Sequence, residues 1–317
     1  MSENTGAAAP AVTVVVPTCN RTDMLPTALR SIARQTFTDF ECLVVNDHVA
    51  TRQVVDKVLD TLADLRFRVL HNPQPSGAAV TRNQGIRQAR GRIVAFLDDD
   101  DCWMPDYLKA HVQAHRAEVG LVYSGVLLRW QDQVLPEKIH QAAPPPPLSE
   151  VPTRMLRGEF EIFTTSSISI KKHVLDTMGE FDERLPSFED WELCYRIGEH
   201  FAFARVEQPL TVFFQHLRGR MTQDLSQRRE GLAMLRRKFE DTGLFQYLYE
   251  KYTAQIYFTS IRNNVLVGKA SWNPPLFKCY LQSESKPWSS RYQLKVTVKM
   301  LILLVLRKRG LRMINQF

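Results

Sequence analysis

The segment at residues 93–106, Ile-Val-Ala-Phe-Leu-Asp-Asp-Asp-Asp-Cys-Trp-Met-Pro-Asp, joins a short apolar run directly to four consecutive aspartates. The apolar part, residues 93–97, is too short for a helix and is rich in β-branched and aromatic side chains, so it predicts a strand buried on both faces. The aspartates at 98–101 would then follow the carboxyl end of this strand, where open α/β sheets bind ligands. Because neighbouring carboxylates repel one another, the run indicates a bound cation or a ligand rich in hydrogen-bond donors.

A simpler interpretation gives this run only a helix-capping role. One aspartate would cap a helix that begins near Pro105, a residue suited to the first helical turn, and the other three would be solvated. A cap accounts for a single carboxylate, and three remain to be explained.

Composition bounds the class of protein. The chain has 317 residues, of which 44% are hydrophobic and 24% charged, which predicts one large α/β domain with an appendage rather than a disordered chain. Its five cysteines are odd in number and lack a Cys-x-x-Cys spacing, which argues against a disulfide framework and a structural zinc site and favours a reducing cytoplasm. Residues 1–11 lack the basic and apolar regions of a secretory signal, so we interpret them as a loose leader.

The positive charge is concentrated at the end of the chain. The net charge is +7, and residues 285–317 contain eight basic residues and no acidic ones, so the remainder carries −1. A nucleic-acid-binding protein needs a basic face on its folded domain, and a nearly neutral domain does not predict one.

The first part of the chain alternates two patterns. Runs of apolar, β-branched residues predict strands, and apolar residues at helical spacing predict helices. The predicted strands are 12–16, 40–45 and 67–70, and the predicted helices are 24–33, with Asp23 at its start, 54–65 and 76–91. Such alternation predicts a parallel, right-handed α/β sheet.

Charged residues mark two predicted helices. Arg82 lies within 76–91, and Glu189 and Asp190 lie at the amino end of a helix predicted within 187–197. A surface arginine that aids solubility, and acidic residues that complement the helix dipole, would explain these residues without a binding site. Beside a bound diphosphate, Arg82 would instead be a ligand.

Weaker patterns follow in the middle of the chain. Residues 122–128 predict another strand, and four prolines at 144–147 predict an extended spacer, with a partner-binding polyproline segment as the alternative. Residues 163–170 alternate hydroxyl and apolar groups as a half-buried strand does. Further on, 225–239 and 245–261 predict helices.

Several of these segments, taken in order, resemble family 2 glycosyltransferases. They are Val-Thr-Val-Val-Val-Pro-Thr-Cys-Asn-Arg (12–21), Arg-Gln-Thr-Phe (34–37), Phe-Glu-Cys-Leu-Val-Val-Asn-Asp (40–47), Thr-Arg-Asn-Gln-Gly-Ile (81–86) and Phe-Leu-Asp-Asp-Asp-Asp-Cys-Trp (96–103). The resemblance runs from about residue 12 to 107 and continues more weakly to about 222. An ordered set of motifs is far more specific than one acidic run.

The resemblance implies a GT-A fold, an α/β architecture whose mixed, mainly parallel sheet is flanked by helices, with a helical C-terminal extension. It implies a catalytic domain at 12–222, made of a nucleotide-binding half at 12–107 and an acceptor half at 108–222. The helical extension, with its basic tail, is 223–317. Such enzymes transfer sugars from nucleotide-sugars and invert the anomeric centre.

The resemblance also implies which residues bind the donor. Pro17, Thr18 and Asn20 line the nucleotide pocket, Asp47 holds the uracil or ribose, and Arg82 approaches the base or the phosphates. One departure lies beside Asp47, at position 46, where an asparagine replaces the aspartate of many relatives.

The family's Asp-x-Asp motif falls on Asp98 and Asp100, with Asp100 as the direct metal ligand and Asp99 among the donor-binding residues. The Glu-Asp motif falls on Glu189 and Asp190, where Asp190 removes the proton of the acceptor hydroxyl and Glu189 either orients the acceptor or has a secondary role. The segment that closes over the diphosphate supplies three further residues, His216, Arg218 and Arg220. A structural hydrogen-bonding role would equally explain a lone histidine.

The charge of a nucleotide-sugar also favours a metal-assisted transfer reaction at the aspartates. A hard, oxygen-liganded cation such as Mg²⁺ or Mn²⁺ between carboxylates and a diphosphate neutralises the charge that develops as the glycosidic bond breaks. A dinucleotide-binding protein would place a glycine-rich turn after its first strand, and residues 17–21 contain no glycine. A Walker lysine loop and the glycine-rich basic loop of a sugar nucleotidyltransferase are also missing.

The uncharged run in the basic tail, residues 300–306, is seven residues long, whereas a membrane-spanning helix needs about 20. A helix lying on an anionic membrane surface and a helix packed on the catalytic domain are the two alternatives.

The sequence therefore predicts a metal-dependent glycosyltransferase of the hexosyltransferase type, which uses a UDP-linked sugar. It would act at the cytoplasmic face, as a peripheral membrane enzyme, on a saccharide or lipid-linked saccharide in surface-polysaccharide or lipopolysaccharide synthesis. A non-catalytic nucleotide- or carbohydrate-binding module and a membrane-peripheral scaffold are the alternatives.

Overall fold

The computed structural model describes residues 9–130, 137–215, 224–246, 248–253 and 255–256. Within these ranges the strands are β1 Val12–Thr18, β2 Phe40–Asn46, β3 Phe67–His71, β4 Ile93–Phe96, β5 Cys102–Trp103, β6 Val119–Trp130, β7 Lys138–His140, β8 Ile168–Lys171 and β9 Ala202–Gln215. The helices are α1 Leu25–Ala33, α2 Arg52–Leu62, α3 Ala78–Gln88, α4 Tyr107–Ala114, α5 Val151–Leu156, α6 Lys172–Met178, α7 Glu189–Gly198 and α8 Leu225–Phe239.

All nine strands form one sheet in the order β3-β2-β1-β4-β8-β6-β9-β5, with β7 paired to β6. The first four strands are parallel, and the order reverses at β1, which lies between β2 and β4. In the second half, β6 and β9 are parallel and the other pairings are antiparallel. The expected mixed α/β sheet is confirmed. Its strands pair mainly in parallel in the first half and mainly antiparallel in the second half. The carboxyl ends of β1, β2 and β4 therefore meet at one edge.

The strand that precedes the aspartates is buried on both faces, as predicted. Phe96 of β4 joins an apolar cluster with Ile86 of α3 and Leu193 of α7, and all three are fully buried. Its neighbour Ala95 joins a second cluster on the opposite face, with Leu29 of α1. Burying such a side chain contributes roughly 1.5–3 kcal/mol, so both faces of the sheet hold the acidic turn in place.

A close contact between α3 and β1 determines where Arg82 lies. A β-carbon added at Gly85 would lie 2.4 Å from Cγ1 of Val15, so only glycine permits this packing. Helix α3 runs back along the sheet, and its amino end lies at the carboxyl edge of the strands. Arg82, one turn before Gly85, consequently reaches Asp98 just beyond β4.

One helix start is shifted and one local prediction was wrong. Helix α1 begins at Leu25, two residues after Asp23, and its N-cap Met24 makes no side-chain hydrogen bond, because backbone bonds to Arg21 already satisfy the first donors. Residues 163–170 are not one strand, since 165–167 form a 3₁₀ turn. Hydroxyl groups there bond to nearby backbone and compete with strand pairing, so β8 begins only at Ile168.

The other helices and strands predicted within the described ranges are confirmed, with their ends shifted by a few residues. Among the described residues, no helix is both long and apolar enough to cross a bilayer. The domain boundaries stay predictions. Most of the leader, the tail and part of the predicted helix at 245–261 lie outside the described residues.

Candidate active site

The four aspartates after β4 divide into two groups. Carboxylate oxygens of Asp98, Asp100 and Asp101 all lie within 4.8 Å of one another, and we call these three residues the acidic cluster. The fourth, Asp99, turns towards β1 and accepts a hydrogen bond of 2.7 Å from the hydroxyl of Thr18. The predicted motif, Asp98 and Asp100, thus lies in the cluster, and the structure adds Asp101.

Asp101 is positioned by two donors from later parts of the chain. The hydroxyl of Ser166 donates to its carboxylate at 2.6 Å, and the backbone N–H of Phe214 donates at 3.1 Å. The same Ser166 oxygen accepts the backbone N–H of Asp98 at 3.1 Å. Ser166 is fully buried, and it fixes two members of the acidic cluster although no sequence motif identified it. The only signal was the run of hydroxyl residues at 164–167.

Arg21 supplies positive charge at this edge. Its Nε lies 3.4 Å from Asp99, and its Nη1 pairs with the carboxylate of Asp100. Burial raises the pKa of Asp99 to about 7, the charges of Asp100 and Asp98 add to this effect, and Arg21 and Thr18 oppose it. The local excess of negative charge is the electrostatic reason why this edge favours a cation.

Arg82 joins the acidic cluster to the start of α7. Its two terminal nitrogens donate to Asp98 and to Glu189, each at 2.8 Å, and the side chain is only 6% exposed. Burial disfavours the charged guanidinium, but the two carboxylates outweigh burial and raise the pKa of Arg82 above its usual value. In the structure Arg82 lies between two carboxylates, whereas the resemblance predicted that it contacts the base or the phosphates of the donor.

Helix α7 begins with the predicted Glu-Asp pair. Burial and the neighbouring Asp190 raise the pKa of Glu189, whereas Arg82 opposes the rise. Asp190 accepts the backbone N–H of Trp191 at 2.8 Å and the hydroxyl of Thr165 at 3.3 Å. The positive end of the helix dipole stabilises a carboxylate at this position.

The residue before this pair has a strained backbone. Phe188 has φ of +67°, a left-handed conformation that a bulky residue adopts only when its surroundings enforce it. Its buried ring packs 4.9 Å from the ring of Tyr252, and the guanidinium of Arg228 lies 5.3 Å from its centre. Packing against α8 and the chain after it thus fixes the direction in which α7 starts.

Asp47 lies at the same edge, but its carboxylate is engaged by the protein. It accepts the side-chain N–H of Asn72 at 2.6 Å and the backbone N–H groups of Ser76 and Gly77 at 2.8 to 3.0 Å. These bonds hold the loop that leads into α3. Next to it, the Asn46 amide bonds to the loop after β2, which gives the departure from the family's aspartate a structural role.

The remaining predicted donor residues lie at or near the end of β1. Pro17 pairs in register with Val45 of β2 and is half-buried. Asn20 is exposed and has φ of +56°, a conformation in which asparagine is enriched. His216, Arg218 and Arg220 lie outside the described residues.

Hydrogen bonds and ion pairs connect most of the predicted site into two groups that meet at the acidic turn. In the first group, Thr18 donates to Asp99, and Arg21 pairs with Asp99 and Asp100. In the second group, Arg82 joins Asp98 to Glu189, and Ser166 joins Asp98 to Asp101. Asp190 follows Glu189 in the chain and contacts Thr165, the neighbour of Ser166.

The family model described as "Glycosyl transferase family 2" matches residues 13–179, more than half of the chain. This protein belongs to glycosyltransferase family 2. The match covers the acidic cluster and Arg82 and ends ten residues before the Glu-Asp pair.

Three curated relatives show how this glycosyltransferase compares with named proteins. An uncharacterized glycosyltransferase of Haemophilus influenzae is 25% identical over 236 residues, which cover 73% of this chain and 78% of the relative. The amylovoran biosynthesis glycosyltransferase AmsB of Erwinia amylovora is 27% identical, covering 62% and 67%. The Escherichia coli enzyme WfgD, a UDP-Glc:alpha-D-GlcNAc-diphosphoundecaprenol beta-1,3-glucosyltransferase, is 33% identical, covering 32% and 39%.

Solved structures confirm the GT-A fold of this glycosyltransferase. TarS 1-349 of S. aureus, in complex with UDP-GlcNAc, gives a TM-score of 0.57 at 17% identity, over 95% of this chain and 92% of TarS. The mannosyltransferase PcManGT of Pyrobaculum calidifontis, in complex with GDP-Man and Mn²⁺, gives 0.52 at 18% identity, over 95% and 79%.

Proposed function

We propose that this glycosyltransferase is a metal-dependent, inverting hexosyltransferase. It would move a sugar from a UDP-linked donor to a saccharide or lipid-linked saccharide acceptor in bacterial surface-polysaccharide or lipopolysaccharide synthesis. The observation that carries the proposal is the position of Arg82, which donates at 2.8 Å both to Asp98 of the acidic cluster and to Glu189 beside the candidate base. One rigid contact thus joins the groups required for donor activation and for acceptor deprotonation.

The names of the relatives support the donor and the pathway. AmsB is named for amylovoran biosynthesis, and WfgD for transfer from UDP-Glc to a diphosphoundecaprenol-linked sugar. The related fold of TarS was solved with UDP-GlcNAc. Together these names favour a UDP-sugar donor and a polysaccharide precursor as acceptor.

The acidic cluster fits a hard divalent cation. Asp98, Asp100 and Asp101 offer only oxygen ligands, which Mg²⁺ and Mn²⁺ prefer, and these oxygens lie within 4.8 Å of one another. Mg²⁺ or Mn²⁺ bound there would neutralise the negative charge that develops on the departing diphosphate. The bonds from Ser166 hold Asp98 and Asp101 in place before the donor binds.

Asp190 is the candidate general base. The start of α7 stabilises its carboxylate, and Thr165 orients one of its oxygens at 3.3 Å. In the proposed reaction Asp190 takes the proton of an acceptor hydroxyl, whose oxygen forms the new bond to the anomeric carbon. The bond from this carbon to the diphosphate breaks on the opposite side, so the anomeric centre inverts.

Glu189 would act through Arg82. Its buried carboxylate is ion-paired with the guanidinium and shares that guanidinium with Asp98, so Glu189 orients Arg82 and the cluster rather than transferring a proton. This assignment corresponds to a secondary role for Glu189, which was the alternative to orienting the acceptor.

A panel of nucleotide-sugars tests the proposal. The full chain should release nucleoside diphosphate slowly from one or a few UDP-sugars when Mn²⁺ or Mg²⁺ is present, because water replaces the acceptor. Chelation with EDTA should abolish the release, and adding back the metal should restore it. If UDP binds without any release from the whole panel, the chain is a non-catalytic binding module.

The basic tail suggests where the enzyme works. Residues 285–317 carry eight basic residues without an acidic one, a composition that attracts anionic lipids. The tail would hold the enzyme on the cytoplasmic face of the membrane, where a lipid-linked acceptor would be concentrated. The tail lies outside the described residues, so this part of the proposal rests on sequence alone.

A further inference from the structure

Three rings from separate parts of the chain meet on the protein surface. His140 ends β7, Phe163 precedes the 165–167 turn, and Phe213 lies in β9. The Phe163 ring centre lies 4.6 Å from that of His140 and 5.3 Å from that of Phe213. We call these three residues the aromatic patch.

Phe163 is unusually open to solvent for an aromatic side chain. It is 42% exposed, and it is the only aromatic among the exposed large apolar side chains of the described residues. His140 and Phe213 are half-buried and pack against it. A single exposed apolar residue is ordinary, but an exposed ring held in place by rings from two other elements offers a fixed surface for a ligand.

The aromatic patch borders both halves of the candidate active site. Phe163 lies two residues before Thr165, whose hydroxyl contacts the candidate base Asp190 at 3.3 Å. Phe213 immediately precedes Phe214, whose backbone N–H donates to Asp101 of the acidic cluster at 3.1 Å. Consecutive α-carbons are about 3.8 Å apart. Phe163 therefore lies about two residue lengths along the chain from the contact made by Thr165, and Phe213 lies about one residue length from the contact made by Phe214.

Sugar chemistry matches this surface. A pyranose ring has faces lined by C–H groups, and the negative face of an aromatic ring attracts such groups, while the sugar hydroxyls stay at the rim. A patch of three rings is too small for a protein interface, which buries about 800 Å² per partner. The donor's diphosphate would lie at the acidic cluster, which leaves the patch for the acceptor.

We propose that the aromatic patch binds a pyranose ring of the acceptor saccharide and turns its reactive hydroxyl towards Asp190. The inference rests on the proposed function and adds to it the surface that recognises the acceptor. Phe163 is the platform, and His140 and Phe213 fix the orientation of its ring. The acceptor then approaches Asp190 past Thr165, on the side of the 165–167 turn.

Saturation-transfer NMR on the full chain tests this assignment with defined probes. The probes are the methyl glycosides of glucose, galactose, mannose and N-acetylglucosamine, measured with UDP and the diamagnetic ion Mg²⁺ present. At least one glycoside should receive saturation on its ring protons from the wild type. Phe163→Ala should reduce that transfer about fivefold, the scale of one lost ring contact, and Phe163→Tyr should retain it.

Two further variants make the test specific. His140→Ala removes a second ring and should also reduce the transfer, which keeps the test valid if Phe163→Ala fails to fold. Leu148→Ala removes a similarly exposed apolar side chain, 41% exposed, that takes no part in the patch, and it should bind like the wild type. Transfer to none of the glycosides by the wild type, or equal transfer by wild type, Phe163→Ala and His140→Ala, would overturn the inference.

The same samples separate this inference from the proposed function. UDP release from UDP-sugars, with water as acceptor, is measured for the wild type and for Leu148→Ala, which lies outside the patch and should release UDP at the wild-type rate. Release of UDP by the wild type, together with unchanged glycoside binding by Phe163→Ala, refutes only the patch. Failure of the wild type to release UDP from any donor refutes the proposed function instead.

Discussion

Arg82 and Glu189 form a buried ion pair across 107 residues of sequence, with Nη1 and Oε1 2.8 Å apart. Their side chains are 6% and 8% exposed, so neither charge is well solvated. Asp98 shares the same guanidinium, and the second ion pair connects α7 to the acidic turn after β4. The relationship makes Arg82 both the structural link and the electrostatic link between the two halves of the site.

Removing the guanidinium should destabilise the fold. Arg82→Ala leaves two carboxylates without their partner, one of them buried, so we expect the free energy of unfolding to fall by about 3–5 kcal/mol. Urea denaturation of full-length variants measures this change. Arg87→Ala is the matched control on the same helix, because Arg87 is 56% exposed and its ion pairs should contribute less than about 1 kcal/mol. Equal losses for the two variants would contradict the bridging role.

Asp100→Asn should weaken metal binding and leave the fold intact. The substitution removes a charged oxygen ligand at a turn and no apolar contact. Loss of a residue that only supports a metal ligand lowers metal affinity by about 10-fold or more, so loss of a direct ligand should lower Mn²⁺ affinity by more than about 10-fold. Electron paramagnetic resonance of free Mn²⁺ gives the affinity, and metal-dependent UDP release should disappear. Asp106→Asn, an exposed aspartate bonded to Thr36, is the control that should bind Mn²⁺ normally. Wild-type affinity in Asp100→Asn would reject the assignment.

Asp190→Asn should separate donor binding from catalysis. The hydrogen bonds from Trp191 and Thr165 end on separate carboxylate oxygens. In asparagine the amide oxygen can still accept the N–H of Trp191, and the amide NH2 can donate to the hydroxyl oxygen of Thr165, so the start of α7 should keep its geometry, but the amide cannot take a proton. UDP affinity should persist while turnover falls by about 10²-fold or more, the scale of a positioned general base. Calorimetry with UDP and Mn²⁺, together with assays of UDP release, measures both. Loss of UDP affinity would place Asp190 in the donor site instead.

The sequence predicted the elements because their patterns are local. Apolar runs and helical spacing located β1, β4 and α8, and four adjacent aspartates located the acidic cluster. The contacts that organise the site are not local. Ser166 reaches Asp101 across 65 residues, and Thr165 reaches Asp190 across 25. A hydroxyl pattern shows which face of a strand is polar, but the partner of each hydroxyl depends on the packing of the whole sheet.

Asp47 illustrates the same limit. The resemblance implied a ligand contact for Asp47, but the backbone of Ser76 and Gly77 also converges on this edge and donates to its carboxylate. Which strand end faces a loop and which faces solvent is decided by the sheet order, and the chain order of the strands does not reveal it. A role of Asp47 in binding uracil or ribose stays a prediction.

Stability should decrease in mild acid because of one buried and one half-buried histidine. His111 of α4 and His115, the residue that follows this helix, both contact the hydroxyl of Ser169, at 2.8 and 2.9 Å. Burial lowers the pKa of both histidines. The charge of His115 lowers the pKa of His111 further, and the charge of Lys171 lowers that of His115 further, to about 4. Below the unfolded pKa of about 6.5 the unfolded chain takes up protons that the folded chain does not.

The free energy of unfolding should therefore fall as the pH drops from about 6.5 towards 4, by about 1 kcal/mol per pH unit for each histidine. Urea titrations at half-unit steps measure the slope. His115→Gln keeps a polar side chain but cannot titrate, so its slope should be shallower than that of the wild type. Identical slopes would show that His115 is protonated in the folded protein or does not contribute.

The basic tail should bind anionic membranes through its charge. Each Lys or Arg near an anionic surface contributes about 1 kcal/mol, and burial of the apolar run adds to this, so attachment should be reversible and should weaken with salt. Deleting residues 292–317 removes six of the eight basic residues together with the apolar run. Co-sedimentation with anionic vesicles at low and high salt should show strong, salt-sensitive binding only for the full chain, with donor hydrolysis unchanged.

A charge variant distinguishes the membrane hypothesis from a tail that packs on the catalytic domain. Changing Arg307, Lys308 and Arg309 to Gln keeps the apolar run but removes about 3 kcal/mol of attraction at 1 kcal/mol per charge, so binding should fall by about two orders of magnitude. Neutral vesicles should bind the full chain and the charge variant equally weakly. If full-length and truncated protein bind anionic vesicles alike, the membrane hypothesis fails. If the truncated protein unfolds whereas the charge variant stays folded, the tail packs on the domain through its apolar face.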